Sequence, residues 1–265
     1  MKKKFEIFMV ACLFVSSFLL ARAGAALVAN RSSDKPCIVL DAGHGGADPG
    51  KVGGDDILEK DLNLQIVFKL KTLFENKGFE VVLTRTDDKA LVSDNSKALK
   101  VEDMRNRVAL IEKASPIMTI SIHQNSYTDP AISGPQVFFY DQSPEGEQIA
   151  ATIQAALNEQ LDPPKQRVSK SNDDYYILKK TPSPTVIVEC GFLSNPEEAA
   201  KLTDEAYQNK LARAIYSGVC TYLSENGGTG LVPSTESGGT GLVPSTENTA
   251  PDTETLSTES SGTEA

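Results

Sequence analysis

The sequence predicts an α/β domain built as a three-layer sandwich, with a mostly parallel central sheet and helices on both faces. The first observation is that short apolar runs of strand length alternate with longer segments of helical periodicity. The second is that about 200 residues separate an apolar N-terminal segment from a polar tail, which is the size of one domain. Strands joined by crossover helices give parallel sheets that are covered on both sides.

Short apolar runs predict the strands. Each run is bounded by polar, glycine or proline positions, which are typical of strand ends. A short strand is predicted at residues 175–178. The longer strands are predicted at residues 37–40, 79–84, 117–122, 136–140 and 185–189.

Helical periodicity predicts the elements between these strands. Residues 55–59 are predicted to begin a helix in which apolar residues recur every four positions, and Gly78 is placed to end it. Ser143 followed by Pro144 is a capping residue followed by proline in the first helical turn. Two more helices are predicted around residues 195–198 and 207–222. One further helix is predicted from an apolar stripe of Val101, Met104, Val108 and Ile111.

Residues 1–26 have the order of an export signal. Three consecutive lysines precede an apolar run over residues 5–20, and small residues follow, with cleavage expected after Ala23 or Ala26. An uncleaved N-terminal anchor is the alternative, because the run is at the short end of what a spanning helix needs. Either outcome predicts that the chain is exported, and any membrane contact is expected only through this segment.

Residues 226–265 form a tail of different composition. Gly-Gly-Thr-Gly-Leu-Val-Pro-Ser-Thr-Glu occurs twice, at residues 227–236 and 238–247. The tail has six acidic and no basic residues, so it supplies −6 of the net charge of −10 and leaves −4 for residues 1–225. Low hydrophobicity with abundant serine, threonine, glycine and proline predicts a disordered acidic appendage.

Composition also limits the partners and the redox chemistry. The sequence shows no basic face of the kind that binds nucleic acid, so no nucleic-acid partner is expected. Beyond the N-terminal segment the cysteines are Cys37, Cys190 and Cys220, and an odd number argues against a disulfide framework. Cys37 and Cys190 flank apolar runs and are expected to be buried. The sequence does not decide whether two of the three cysteines form a disulfide.

A glycine-rich loop follows the first predicted strand. Residues 38–50 read Ile-Val-Leu-Asp-Ala-Gly-His-Gly-Gly-Ala-Asp-Pro-Gly, which places His44 between glycines directly after the strand. Glycine permits tight turns and close approach of the backbone to a ligand. No Gly-Lys-Ser/Thr follows, so the loop is not a phosphate loop. The alternative is a flexible loop with an incidental histidine.

The chain has only two histidines, and both follow apolar strands. These are His44 and His123, and a third strand ends in Glu189. Because the carboxyl ends of parallel strands meet at one edge of a sheet, we expect the three side chains to converge. Glu59, at the start of the helix after the glycine loop, can join them. A carboxylate at the end of an apolar strand is costly to bury unless it is paired or coordinated.

Each of these residues also has a purely structural interpretation. Glu59 could complete a capping box at the helix start. His123 could be a satisfied polar residue, and Glu189 could pair with Arg85 at the end of another strand. Asp41 is expected to hydrogen-bond its own glycine loop. Chance convergence of both histidines and two carboxylates is less probable than any one of these alternatives.

Four motifs occur in order and carry a resemblance. They are Asp-Ala-Gly-His-Gly-Gly-Ala-Asp-Pro-Gly, Leu-Glu-Lys-Asp-Leu-Asn-Leu, Ser-Ile-His-Gln-Asn-Ser and Val-Glu-Cys-Gly-Phe-Leu-Ser-Asn-Pro-Glu-Glu. Over residues 37–223 the chain resembles zinc-dependent N-acetylmuramoyl-L-alanine amidases, which implies a zinc amidase domain at residues 35–225. The resemblance implies that His44, Glu59 and His123 bind one Zn²⁺ and that Glu189 is catalytic. It also implies hydrolysis of the peptidoglycan amide between N-acetylmuramic acid and L-alanine by zinc-activated water.

A narrower resemblance connects the chain with amidases of spore formers that act on the cortex. It is carried by Ser-Ile-His-Gln-Asn-Ser-Tyr, Val-Glu-Asp-Met-Arg-Asn-Arg-Val and Asn-Asp-Asp-Tyr-Tyr-Ile-Leu-Lys-Lys. It implies a role in spore cortex maturation and a location outside the cytoplasm, in the cell wall or spore envelope. The acidic tail is not part of that pattern, and the need for an accessory protein stays open.

The residue types suit this chemistry independently of the resemblance. A catalytic zinc uses three nitrogen or oxygen ligands and one open position for water. Glu189 is then the general base, and later the acid that protonates the leaving amine. Asn125 is a candidate for orienting substrate. Two alternatives remain: a zinc exopeptidase acting on another amide, and a non-catalytic peptidoglycan-binding protein, which would have lost a ligand or the catalytic glutamate.

Deleting residues 226–265 is expected to leave the fold and the turnover of soluble muropeptides unchanged. The reason is that this acidic, repetitive tail has too little apolar surface to pack on the domain. Thermal unfolding and turnover of the truncated and full chains provide the measurement. A large fall in the unfolding temperature on truncation would show that the tail packs on the domain.

Overall fold

The computed structural model describes residues 35–92 and 98–226, which form one six-stranded sheet and the helices packed on it. Across the sheet the strands lie in the order β2-β1-β3-β6-β4-β5, and every neighbouring pair is parallel except β4 and β6. The mostly parallel sheet predicted from the sequence is confirmed. In chain order the strands are β1 (Cys37–Ala42), β2 (Glu80–Leu83), β3 (Met118–Asn125), β4 (Gln136–Phe139), β5 (Lys170–Ser171) and β6 (Thr185–Phe192).

Helices cover both faces of this sheet. In chain order they are α1 (Glu59–Lys77), α2 (Leu99–Ala114), α3 (Pro144–Leu161), α4 (Tyr176–Lys180), α5 (Pro196–Thr203) and α6 (Glu205–Asn226). The larger core joins α1, α3, α5 and α6 to the face that carries Ile38 and Leu40. A smaller core joins α2 and α4 to the opposite face, which carries Val39 and Ile187. Because successive residues of a strand face opposite sides of the sheet, these two cores lie on opposite faces. Helices therefore cover both faces, and the predicted three-layer sandwich is confirmed.

Two central strands are longer than the sequence predicts. The apolar runs end before His123 and at Glu189, but β3 continues to Asn125 and β6 to Phe192. The ladder is made by backbone groups, so it can continue past polar side chains. His123 and Glu189 therefore lie within adjacent strands, paired in register, rather than on loops beyond them.

The helix boundaries follow the predicted capping residues. Gly78 ends α1 in the left-handed conformation, and the Ser143 side chain accepts the Gly146 N–H at 3.1 Å at the start of α3. The predicted start at residues 55–59 is too early, because α1 begins at Glu59. Residues 55 and 56 have φ angles of 55° and 57°, which cannot continue into an α-helix, and they form a short 3₁₀ turn instead.

The short strand predicted at residues 175–178 is wrong, because α4 occupies that position. The Asn172 side chain accepts the N–H groups of Asp174 and Tyr175, which turns the chain just before the helix. Ile177 and Leu178 then pack in the smaller core. A short apolar pattern with no helical repeat to extend it cannot separate a strand from one helical turn.

Helix α2 buries part of the predicted apolar stripe, since Ile111 is buried and Met104 packs against the smaller core, but it also buries charged residues that the stripe did not include. Val101 is 52% exposed, whereas Asp103, Arg107 and Ile111 are buried at successive turns of the helix. Residues four apart lie on one face of a helix, so α2 presents a charged stripe to the domain interior. A search for regularly spaced apolar residues cannot find a buried stripe that contains charged residues of opposite sign.

The cysteines described in the structure are all free thiols. Cys190 is fully buried, and Cys37 and Cys220 are half-buried. The disulfide that the sequence left open does not form among these three residues. Within residues 35–92 and 98–226 no helix is both long and apolar enough to cross a membrane. The predicted export segment, residues 1–26, lies outside the described residues, as does the predicted tail of residues 226–265 apart from Asn226, which ends α6.

Candidate metal centre

The structure brings together three side chains from a loop, a helix and a strand. His44 lies two residues beyond β1, Glu59 is the first residue of α1, and His123 lies in β3. One potential ligand atom from each residue lies within 4.8 Å of the others. The convergence expected from parallel strand ends therefore occurs, with the helix start supplying the carboxylate.

Glu59 is the centre of this group. Its Oε1 is 3.2 Å from Nε2 of His44 and 3.0 Å from Nδ1 of His123. The two imidazole rings meet edge to face, with centroids 5.0 Å apart. Ligand atoms about 2.1 Å from a tetrahedral zinc lie roughly 3.4 Å from one another. Two imidazole nitrogens and one carboxylate at this spacing fit a zinc ion.

The surroundings of Glu59 keep its carboxylate ionised. It is 2% exposed and accepts the backbone N–H groups of Lys51 at 2.7 Å and Gln124 at 3.0 Å. Burial opposes ionisation, but hydrogen bonds and charges from His123 and His44 outweigh it and lower the pKa of Glu59. The capping-box alternative is wrong, because α1 has no side-chain cap hydrogen bond.

His44 is oriented by a residue that the sequence analysis did not select. Asp48 Oδ2 lies 2.9 Å from Nδ1 of His44, which leaves Nε2 directed at Glu59. Carboxylates that hold the second nitrogen of a ligating histidine fix its orientation and raise its basicity. Burial lowers the pKa of His44, but Glu59 and Asp48 more than reverse this and raise it. The available signal was an acid four residues after His44 in the same loop.

Glu189 faces the same centre from β6. It pairs in register with His123 and is 7% exposed. Its Oε2 is buried and has no hydrogen-bond partner among the described residues. Burial raises the pKa of Glu189 to about 7, because it outweighs the opposing charge of His123 and is reinforced by the charge of Glu59. The alternative ion pair is wrong, because Arg85 donates to backbone carbonyls instead.

These side chains line one pocket of about 530 Å³. Asn125 lines it as well, and its Oδ1 accepts the Ser126 N–H at 2.8 Å. The wall also includes cationic and aromatic side chains that the sequence analysis did not select: Lys51, Lys100, Tyr175 and Tyr176. The pocket thus combines a metal-binding group, a protonatable carboxyl group and a mixed polar and aromatic wall.

Gly43 is required by the close approach of His123. A Cβ atom at position 43 would overlap the His123 ring at Cε1 and Nε2. Gly43→Ala is therefore expected to displace this ring and to weaken zinc binding by about 10–100-fold, the range seen when ligand orientation is lost. Gly54→Ala is the control, since nothing lies within 4 Å of a Cβ there. Equal zinc affinity of the two variants in a chelator competition would contradict this account.

Asp41 is buried beneath the glycine loop and does not bond to it as predicted. It accepts the hydroxyl groups of Thr84 at 2.7 Å and Ser121 at 2.5 Å, and Arg107 at 2.6 Å. Burial opposes ionisation, but Arg107 and the two hydroxyl groups outweigh it and lower the pKa of Asp41 to about 2. The polar side chains of neighbouring elements therefore hold this carboxylate at the end of β1.

This pKa predicts how the stability of the metal-free protein depends on pH. An unfolded aspartate has a pKa of about 3.9, so the lowered value stabilises the fold above pH 4 by about 2–3 kcal/mol. That contribution is lost as the pH falls through 4 to about 2. Urea unfolding at several pH values, with a chelator present, measures it. Ser121→Ala should show a smaller loss over this interval, and an identical pH dependence would contradict the assignment.

Comparison with known proteins gives consistent matches across this domain. A family model described as N-acetylmuramoyl-L-alanine amidase matches residues 38–221. The germination-specific N-acetylmuramoyl-L-alanine amidase of Bacillus subtilis is 38% identical over 193 residues, covering 72% of this chain and 81% of the relative.

Solved structures show the same similarity. The CwlD amidase of Clostridioides difficile, solved in complex with the GerS lipoprotein, is 40% identical with a TM-score of 0.70. The match covers 72% of this chain and all of that chain. An N-acetylmuramoyl-L-alanine amidase of Clostridium difficile 630 is 30% identical with a TM-score of 0.65, covering 73% of this chain and all of the other.

Proposed function

This chain belongs to the N-acetylmuramoyl-L-alanine amidase family, and we propose that it acts with one Zn²⁺ held by His44, Glu59 and His123. The bond that it hydrolyses is the peptidoglycan amide between N-acetylmuramic acid and L-alanine of the stem peptide. The observation that carries the metal proposal is the convergence of these three side chains beside the unpartnered carboxyl group of Glu189.

The donor set fits zinc in both chemistry and spacing. Two imidazoles and one carboxylate supply the three protein ligands of a catalytic zinc and leave a net charge of about +1 on the centre. When bound, zinc supplies a Lewis acid that activates water near neutral pH and polarises the scissile carbonyl. Asp48 holds Nδ1 of His44, so Nε2 is the nitrogen presented to the metal.

Glu189 carries the proton transfers. Its buried Oε2 has no hydrogen-bond partner among the described residues, so it can accept a proton from the attacking water. The same carboxyl group then donates that proton to the leaving L-alanine nitrogen as the amide bond breaks. An acid–base group works best when its pKa lies near the working pH, and burial raises the pKa of Glu189 in that direction.

The pocket wall supplies contacts for the rest of the substrate. Asn125 follows His123 by two residues in β3 and lines the pocket, so its amide is placed to orient the peptide or the lactyl group. Lys51 and Lys100 can pair with carboxylates of the stem peptide. Asn125→Ala should therefore raise KM more than it lowers kcat.

The relatives also suggest where in the cell this amidase acts and which partner it needs. The Bacillus subtilis relative is named as germination-specific, which supports a role in spore cortex maturation here. The GerS complex of the related CwlD amidase makes an accessory lipoprotein a candidate partner. Both proposals require export, which the N-terminal segment over residues 1–26 supplies as a signal peptide or an anchor.

Digestion of purified peptidoglycan tests this function by the bond that is cut. Mass spectrometry should detect free stem peptides beginning with L-alanine, together with glycan strands whose lactyl carboxylates are free. Products cut within the stem peptide would instead assign the site to a peptidase. Binding to peptidoglycan without any released product would assign the chain to the non-catalytic class.

A further inference from the structure

Two buried guanidinium groups contact the backbone that leads into His44. Arg107 on α2 is 1% exposed, and Arg85, which follows β2, is 4% exposed. Neither residue is among the predicted metal ligands or catalytic groups, and neither takes part in the proposed proton transfers. Burying a charged side chain is costly, so their position requires compensating contacts.

These contacts fall on three consecutive carbonyl groups. Arg107 donates to the carbonyl oxygens of Ala42 at 2.7 Å and His44 at 2.6 Å. Arg85 donates to the carbonyl oxygens of Ala42 at 3.0 Å and Gly43 at 3.1 Å. The end of β1 and the backbone of His44 are therefore held by both side chains at once.

Arg85 also connects this segment with the helix that carries the second candidate ligand. Its Nη2 donates both to the carbonyl oxygen of Gly43 and to that of Lys60, the latter at 2.6 Å. Lys60 directly follows Glu59 in the first turn of α1. The guanidinium of Arg85 thus links the loop that carries His44 to the first turn of α1, which carries Glu59.

His44 needs this support because of its backbone conformation. Its φ angle is +62°, in the left-handed region that side-chain-bearing residues rarely adopt. Such a conformation persists when the surrounding contacts over-determine it. The hydrogen bond from Arg107 to the His44 carbonyl is a contact of this kind.

The charges of the two arginines are balanced locally. Arg107 contacts Asp41 at 2.6 Å and Asp103 at 2.7 Å. Together with Arg85, the group contains two positive and two negative side chains, so it carries no net charge. It can therefore hold the backbone beside the metal centre without repelling a divalent cation.

We propose that Arg107 and Arg85 are positioning residues that hold residues 42–44 so that the imidazole of His44 is preorganised toward Glu59 for zinc binding. This inference rests on the proposed zinc centre. Neither arginine touches the substrate or the metal in this account. Their effect is to reduce the conformational freedom that His44 would otherwise lose when the ion binds.

Lysine substitutions separate this role from simple charge burial. Arg107→Lys keeps a positive charge between Asp41 and Asp103, but a single ammonium cannot reproduce the planar fork that reaches four acceptors. Arg85→Lys tests the other half of the arrangement, and it carries the test if the Arg107 variant does not fold. Gln208→Ala is the control, because Gln208 does not line the pocket and its loss removes a buried hydrogen bond to Leu202 and a partly buried one to Gln65.

Zinc affinity is measured for the full chain by competition with a chelating indicator, and thermal unfolding is recorded for each metal-free variant. Each lysine variant is expected to bind Zn²⁺ about 10–100-fold more weakly than wild type. Its kcat at saturating Zn²⁺ should stay close to the wild-type value. Gln208→Ala should lose thermal stability and keep wild-type zinc affinity.

Three results would overturn the inference. Wild-type zinc affinity in the folded lysine variants would show that the arginines only support the fold. Equal weakening of zinc binding in Gln208→Ala would show that any loss of stability has this effect. A wild-type chain without zinc affinity would overturn the proposed metal centre and this inference together.

Discussion

Replacing Glu189 with glutamine is expected to leave zinc content and fold intact while lowering kcat by about 10²–10⁴, the range for general acid–base catalysis. The amide has nearly the same shape, so the packing of β6 is preserved. It cannot accept a proton from water and return it to the leaving amine. Burial raises the pKa of Glu189, which is the property that suits this exchange.

Glu198→Gln is a matched control for this variant. Glu198 is also a buried glutamate, 8% exposed, and it accepts the backbone N–H groups of Gly134 and Phe192. Its replacement should lower stability more than turnover. If Glu198→Gln lowered kcat as strongly as Glu189→Gln, the loss would reflect disturbance of β6 rather than proton transfer.

Glu59→Gln should show the opposite pattern from Glu189→Gln. The carboxylate of Glu59 is ionised and central to the three converging side chains, so its amide should first weaken zinc binding. Excess zinc should then restore part of the activity. Zinc content and turnover of both variants decide the assignment. Metal loss in Glu189→Gln, with metal retained and turnover lost in Glu59→Gln, would show that the two roles are reversed.

His44→Ala and His123→Ala are each expected to abolish zinc binding and activity together. A catalytic zinc keeps three protein ligands, and removal of either imidazole leaves two. Circular dichroism should show that the fold is retained. Stoichiometric zinc in either variant would remove that histidine from the ligand set.

Asp48→Asn gives a graded comparison with the histidine variants. It leaves both imidazoles in place and weakens the contact to Nδ1 of His44, together with a longer ion pair to Lys100. Zinc affinity should therefore fall by about 10–100-fold rather than be abolished. A complete loss of zinc in Asp48→Asn would show that Asp48 does more than orient the ring.

The sequence predicted five of the six strands, all except β5, and indicated that four polar residues converge at one edge of the sheet. Parallel strands bring their carboxyl ends to one edge, so two histidines and a glutamate at three strand ends were expected to lie close together. The start of α1 could be placed nearby because only the short glycine loop separates it from β1. The prediction therefore depended on backbone topology, which apolar periodicity reveals.

The residues that support the centre could not be predicted in the same way. Arg107 belongs to a helix whose apolar stripe gave no indication that the neighbouring charged positions are buried. Its burial depends on contacts with Asp41 on β1 and with loop carbonyls far away in the sequence. Asp48 required knowledge of how the glycine loop folds back on itself. Such contacts depend on tertiary geometry rather than on local periodicity.

The central claim is that His44, Glu59 and His123 hold the zinc on which hydrolysis depends. Elemental analysis of the purified chain, combined with release of stem peptides before and after chelation, tests it most directly. The account predicts one zinc per chain, loss of peptide release when the metal is removed, and recovery when zinc is returned. Full release of stem peptides by a chain that contains no metal would contradict it.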